Sequence, residues 1–130
     1  MKKIFKTGDS KFYKKVVSEN DCAIFNGELL HRVYSTFALA RDFEWSSRLF
    51  FLEMKEDDEE GVGTLLHIEH NSPAFVGEEV IITATVEKME RNELISSIKA
   101  NVGERIIATG ITGQKMLKKE KMNKIFGERY

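Results

Sequence analysis

The sequence has 130 residues, a length that suits one domain and can bury a core without disulfides or metal ions. Its formal net charge of −1 argues against a nucleic-acid-binding protein and against strong attraction to an anionic membrane surface. The single cysteine excludes a disulfide within the chain, and there is neither a signal peptide nor an apolar run near the ~20 residues that span a bilayer. We therefore expect one domain over 1–130 that is soluble and cytoplasmic.

The first third of the chain is predicted to contain a strand, a loop and the start of a helix. Residues 11–18 mix β-forming side chains with lysines, a composition that suits an edge strand. Residues 19–32 contain several Asn, Asp and Gly residues and indicate a loop with a short helical turn. Ser35 or Thr36 can then cap a helix over 37–55.

This helix is rich in apolar side chains. At 3.6 residues per turn they lie on nearly every side, and a helix with this pattern is buried on most of its faces. The residues concerned are Phe37, Ala38, Leu39, Ala40, Phe43, Trp45, Leu49, Phe50, Phe51, Leu52 and Met54. An acidic run over 56–60, which is typical of a solvated loop, ends the helix.

The rest of the chain is predicted to form four strands, over 61–70, 79–90, 93–102 and 105–117. Those joined by tight turns are antiparallel to each other. The closing segment, 118–130, is charged and has apolar residues at helical spacing, which suits a short C-terminal helix or a tail.

Together these elements predict an α+β fold. A flat sheet cannot cover a helix that is buried on most faces, whereas a sheet that curls around the helix can. One strand, one long helix and four further strands therefore indicate the hotdog architecture, an antiparallel five-stranded sheet wrapped around one long central helix.

Three side chains along this pattern can act on an acyl group. Thr36 precedes Glu44 by eight residues, and Glu44 precedes His70 by twenty-six. A hydroxyl, a carboxylate and an imidazole together can attack an acyl carbon or activate water to do so. Each has a simpler interpretation: Thr36 as a helix cap, Glu44 as a surface residue paired with Arg48, and His70 as an exposed residue at a strand end.

A metal site is a further possibility for His67, Glu69 and His70. In a strand, however, His67 and Glu69 point to one face and His70 to the other. We therefore expect no metal site and no resident cofactor.

Five short motifs occur in a recognisable order. They are Val33-Tyr34-Ser35-Thr36, Glu44-Trp45, Gly61-Val62-Gly63, His67-Ile68-Glu69-His70 and Gly77-Glu78-Glu79-Val80. This series resembles the hotdog-fold acyl-CoA thioesterases, and within them the fluoroacetyl-CoA thioesterase-like subgroup, whose Thr–Glu–His triad has the same two spacings.

The resemblance implies an enzyme that hydrolyses an acyl-CoA to free CoA and a carboxylic acid, with CoA present only as part of the substrate. It also implies a homodimer, or a dimer of dimers, with the active site between two subunits. Glu44 would be the catalytic carboxylate, His70 the acid and base, and Thr36 a positioning hydroxyl. Either the backbone N–H of Gly63 or those at the helix N-terminus would contact the thioester oxygen, although Gly63 also suits a β-bulge or a close approach of helix and sheet.

The last strand departs from the family pattern. Where relatives often have Gly-x-His-x-Arg, this chain has Thr112 and Gln114 in place of the histidine and arginine. This departure keeps open a non-catalytic acyl-CoA-binding or sensing protein. An acyl-thioester hydratase or dehydratase is a weaker alternative, because the Asp–His pair typical of those enzymes is missing. Substrate turnover separates an enzyme from a sensor.

Overall fold

A computed structural model describes residues 1–127 and contains one antiparallel sheet of five strands around a long helix. The elements are β1 (Ser10–Val16), β2 (Cys22–Phe25), β3 (Glu28–Tyr34), α1 (Thr36–Met54), β4 (Glu59–His70), β5 (Glu79–Glu90), β6 (Glu93–Val102), β7 (Arg105–Lys118) and α2 (Lys119–Phe126). The sheet order is β1-β5-β6-β7-β4, and α1 contacts all five strands. The predicted fold is confirmed. The extent of the domain over 1–130 stays a prediction.

Helix α1 begins at a side-chain cap and buries one broad face. The Ser35 hydroxyl accepts a hydrogen bond from the backbone N–H of Ala38 at 3.1 Å, which satisfies one of the free donors at the helix start. Leu39, Phe43 and Phe50 are fully buried against the sheet, and their spacing of four and seven residues places them on a single stripe.

The opposite face of α1 is open, which corrects the prediction of a helix buried on most faces. Phe37, Trp45 and Leu52 are 49%, 39% and 41% exposed. At 100° per residue these three lie on the side of the helix that faces away from the buried stripe. The sheet covers only one side of α1, so an apolar residue on the other side stays exposed within one chain.

The prediction of a loop over 19–32 is wrong, because these residues form a 3-10 turn followed by a two-stranded hairpin. Strands β2 and β3 pair antiparallel, with Phe25 opposite Glu28. The two residues between them, Asn26 and Gly27, have φ values of 51° and 81°. Positive φ at both positions produces the type I′ turn that matches the twist of paired strands. The Asn-Gly dipeptide is the signal that the loop prediction overlooked.

Strand β4 lies at one edge of the sheet. It pairs only with β7, and its Leu65 and Leu66 are 47% and 41% exposed. The segment between β4 and β5 therefore crosses to the far side of the sheet, whereas β5, β6 and β7 follow one another through tight turns.

The C-terminal segment begins with α2, which buries Met122. The last three residues of the segment predicted as a helix or tail, 128–130, lie outside the described residues. Within 1–127, no helix is both long enough and apolar enough to cross a bilayer. A cytoplasmic location stays a prediction.

Candidate active site

Thr36 and His70 are in direct contact. Thr36 is the first residue of α1 and His70 is the last residue of β4, and their Oγ1 and Nδ1 atoms are 2.9 Å apart. Because Ser35 caps the helix, the Thr36 hydroxyl is not needed there. A hydroxyl and an imidazole within hydrogen-bond distance have the geometry of a nucleophile, or a positioning group, next to a base.

His70 is partly buried, and this favours its neutral form. Burial lowers the pKa of His70 below its usual 6.5, and the backbone of Ser72 offsets part of this effect. The Nε2 atom is buried and has no hydrogen-bond partner among residues 1–127. Thr36, in contrast, is exposed, so it is the member of this Thr36–His70 pair that faces solvent.

Glu44 lies two turns further along α1, against Gly63 of β4. A Cβ atom added to Gly63 would be 2.9 Å from Oε1 of Glu44, so this glycine makes room for the carboxylate. The pairing of β4 with β7 is irregular between Gly63 and Leu65, which places a β-bulge beside it. Contact of its N–H with a thioester oxygen stays a prediction.

The Glu44 carboxylate is free of ion pairs within the described chain. The interpretation that it pairs with Arg48 is wrong, because the Arg48 guanidinium donates to Glu60 at 2.7 Å. No other ion pair or hydrogen bond engages the side chain of Glu44 among residues 1–127. An exposed carboxylate of this kind is available to a ligand or to a second protein chain.

An open cleft of about 290 Å³ lies beside Glu44, between α1 and the strands β4 and β7. We call it the Glu44 cleft. Its lining consists of Arg41, Glu44, Trp45, Ser47, Arg48, Gly61, Gly63, Thr112, Gly113 and Gln114. The two residues that replace the family's histidine and arginine therefore face the predicted catalytic carboxylate. Gln114 is fixed there, because its Nε2 donates to the hydroxyl of the buried Ser47 at 2.9 Å.

One chain does not bring the three predicted catalytic residues together. Thr36 and Glu44 are separated by ~12 Å along the helix axis, because each residue advances the helix by 1.5 Å. Gly63, which touches Glu44, is seven residues before His70, or ~23 Å along the strand. The chain thus contains two half-sites, the Thr36–His70 pair and the Glu44 cleft.

The three residues considered as metal ligands do not converge. His67 Nε2 and Glu69 Oε1 are 3.8 Å apart on one face of β4, whereas His70 is bound to Thr36 on the other. Among residues 1–127, no group of three His, Cys, Asp or Glu side chains is arranged to hold a metal ion.

Sequence reasoning missed a polar network that holds the start of α1. The hydroxyl of the buried Tyr34 donates to Asp42, which also accepts from Arg41. Arg41 in turn donates to Asp21 at 2.9 Å, and Asp21 accepts from Lys15 at 3.2 Å. This network fixes the junction of β3 and α1, and hence the position of Thr36 two residues after Tyr34. Its members come from four separate elements, so no local pattern indicated it.

Comparisons with known proteins support one class. An antiparallel sheet wrapped around a long helix is the fold of the hotdog thioesterases, and a thioesterase superfamily member from Thermus thermophilus has this architecture too. The family of fluoroacetyl-CoA-specific thioesterases, FlK, matches residues 17–120, and the chain belongs to this family. Its members are hydrolases, which confirms the prediction of a thioester hydrolase. Comparison with curated protein sequences gave no match.

Three solved structures show how closely the fold agrees. The hypothetical protein from Thermus thermophilus is 28% identical, with a TM-score of 0.90 and coverage of 95% of this chain and 92% of that chain. A hot-dog-like protein from Thermanaerovibrio acidaminovorans is 24% identical, with a TM-score of 0.87 and coverage of 97% and 93%. A mutant of FlK in complex with fluoroacetate and CoA is 20% identical, with a TM-score of 0.83 and coverage of 92% and 100%.

Proposed function

We propose that this protein hydrolyses an acyl-CoA thioester to free CoA and a carboxylic acid, at sites that two identical chains build together. The observation that carries the proposal is the Thr36–His70 hydrogen bond of 2.9 Å. The Glu44 carboxylate lies away from this pair and has no partner among residues 1–127. FlK, a member of the same family, has been solved with fluoroacetate and CoA, which supports a CoA thioester as the substrate.

The free edge of β4 supports a dimer. An edge strand of twelve residues with exposed leucines is a template for pairing with another strand. We place two copies of β4 antiparallel across a two-fold axis, with Leu66 of one copy opposite His67 of the other. In this register Gly63 lies opposite His70 of the second copy. Each Glu44 cleft then meets the Thr36–His70 pair of its neighbour, and both half-sites are completed at once.

The roles in this composite site follow from the chemistry of each group. Glu44 is the catalytic carboxylate, because it is exposed and unpaired in the cleft. His70 is the acid and base, and its lowered pKa keeps it ready to accept a proton at neutral pH. Thr36 positions the reacting group and connects His70 to the site. Water supplies the oxygen of the acid, the C–S bond breaks, and a proton reaches the departing sulfur. This scheme uses no metal and no resident cofactor.

A thiol-release assay with short, medium, branched and aromatic acyl-CoAs tests the function. We expect the wild-type protein to release CoA from at least one class, and Glu44→Gln to lower kcat/KM by about 10³-fold, because the variant loses the catalytic carboxylate. Glu53→Gln is the matched control, since Glu53 is an exposed carboxylate on the same helix.

The same assay decides against the proposal in two ways. Unchanged turnover in Glu44→Gln would contradict the assigned role of Glu44. Tight binding of acyl-CoA by the wild-type protein without any release would instead make it the sensor that Thr112 and Gln114 keep open.

A further inference from the structure

Thr112 is a buried polar residue without a partner. It lies in the middle of β7, is 1% exposed, and lines the Glu44 cleft. Its Oγ1 has no hydrogen-bond partner among residues 1–127. A buried hydroxyl in this state costs folding free energy that a valine of the same shape would not. A bound molecule that accepts a hydrogen bond from it removes this cost.

Three neighbouring polar side chains of the cleft are already engaged, whereas the Thr112 hydroxyl is not. Gln114 donates to Ser47. The guanidinium of Arg41 is paired with Asp21 and Asp42, and that of Arg48 with Glu60. Among the residues of the described chain that line the cleft, the Thr112 hydroxyl is therefore an uncharged donor that no protein group uses.

Ser96 provides a natural comparison. It lies opposite Thr112 on the adjacent strand β6, it is fully buried, and its Oγ also lacks a partner within 1–127. Ser96 does not line the Glu44 cleft. The two hydroxyls thus share their strand register and their burial, whereas only Thr112 is among the residues that line the cleft.

We propose that the Thr112 hydroxyl donates a hydrogen bond to the thioester oxygen of an acyl-CoA bound in the Glu44 cleft. The inference rests on the proposed function. A thioester oxygen can only accept hydrogen bonds, and a carboxylate such as Glu44 cannot donate one to it. Thr112, on the β7 side of the cleft, supplies a side-chain donor in addition to the backbone N–H predicted at Gly63, and its bond strengthens as negative charge develops on the thioester oxygen. It replaces a basic side chain of the family pattern with a neutral donor.

The test compares Thr112→Val, Thr112→Ser and Ser96→Ala in the thiol-release assay, with the acyl-CoA that the wild-type protein hydrolyses fastest. We expect kcat/KM of Thr112→Val to fall by about 100-fold, mainly through kcat, because a donor to the developing charge is lost. Thr112→Ser restores the rate to within about fivefold, and Ser96→Ala stays within about twofold of wild type. Both Thr112→Val and Ser96→Ala raise the melting temperature, because each removes an unpaired buried hydroxyl.

A Thr112→Val variant that gains stability and keeps its kcat/KM would overturn the inference, since the hydroxyl would then be only a packing defect. An equal loss in Ser96→Ala would also overturn it, because burial rather than access to the cleft would explain the loss. If the wild-type protein releases no CoA, the proposed function fails, and calorimetric binding of acetyl-CoA decides the inference. Weaker binding by Thr112→Val alone supports it, and equal or absent binding in both proteins contradicts it.

Discussion

The Thr36–His70 pair and the Glu44 cleft lie along the same helix and the same edge strand. They differ in how many of their polar groups find a hydrogen-bond partner within one chain. In the pair, the hydroxyl and the imidazole bind each other, and the histidine is partly buried. In the cleft, the Glu44 carboxylate and the Thr112 hydroxyl have no partner within residues 1–127. Folding of one chain brings the two members of the pair together, whereas it leaves the carboxylate and the hydroxyl of the cleft without a partner among residues 1–127.

Under the proposed function, this difference accounts for a separation of ~12 Å along α1 between Thr36 and Glu44. The hydrogen bond between Thr36 and His70 Nδ1 forms within the chain and orients the pair before any ligand arrives, while Nε2 of His70 has no partner among residues 1–127. An unpaired carboxylate in the cleft is tolerated because it is exposed to water. In the proposed dimer, pairing of β4 with a second copy would join the oriented His70 to the free Glu44 carboxylate.

Alanine substitutions at two glycines, Gly63 and Gly110, distinguish an effect on the Glu44 cleft from an effect on the fold. We expect these variants to show the largest changes. Gly63→Ala places a Cβ 2.9 Å from Oε1 of Glu44, so the flexible carboxylate must move. A shift of about 1 Å in a catalytic group lowers kcat/KM by ~100-fold, with little change in the free energy of unfolding. Thiol release measures kcat/KM, and urea denaturation measures the free energy of unfolding.

The matched variant of this experiment is Gly110→Ala. Its Cβ would lie 2.1 Å from the carbonyl oxygen of His67, a backbone atom that moves only if β4 and β7 separate. We expect a loss of ~4 kcal/mol in the free energy of unfolding. A stable Gly63→Ala with wild-type kcat/KM would show that Glu44 does not act from its observed position.

The pH dependence of activity tests the Thr36–His70 pair, and the expected effect is smaller. The folded pKa of His70 lies below 6.5, so the folded protein binds fewer protons than the unfolded chain at a slightly acidic pH. Neutral His70 persists down to that lowered pKa. We expect kcat/KM to be level at pH 6.5 and above and to fall only as the pH drops through that lowered pKa, by at most ~10-fold per pH unit.

The free energy of unfolding is also expected to decrease at acidic pH. Because protonation of His70 is disfavoured in the fold, the free energy of unfolding decreases as the pH falls below 6.5. His70→Asn removes this contribution and serves as the control for the stability measurement. A wild-type rate that falls with a midpoint above pH 6.5 would contradict a buried, neutral His70.

Local patterns predicted most of the fold. The helix cap, the buried stripe of α1 and the tight turns of β5, β6 and β7 depend on neighbouring residues, and each has a sequence signal. The position of β4 at the sheet edge depends on contacts between distant segments and has none. The hairpin at 22–34 did have a signal in Asn26-Gly27, which composition obscured.

For the candidate site, too, the sequence indicated some features and not others. The spacing of Thr36, Glu44 and His70 indicated them as candidate catalytic residues, which they remain. It did not predict that Thr36 touches His70 while Glu44 lies elsewhere, because a spacing along the chain carries no distance in space. The Thr112 hydroxyl was noted only as a departure from a pattern. Its lack of a partner became visible once β7 was placed beside α1.

Mixing two inactive variants tests the central claim, that each active site takes Glu44 from one chain and the Thr36–His70 pair from another. Co-expressed Glu44→Gln and His70→Ala chains form mixed dimers in which one of the two sites has all its groups intact. We predict recovery of about one quarter of wild-type thiol release, because half of the dimers are mixed and each has one working site. Mixtures that stay as inactive as either variant alone, although size and mass measurements show mixed dimers, would place the whole site within one chain.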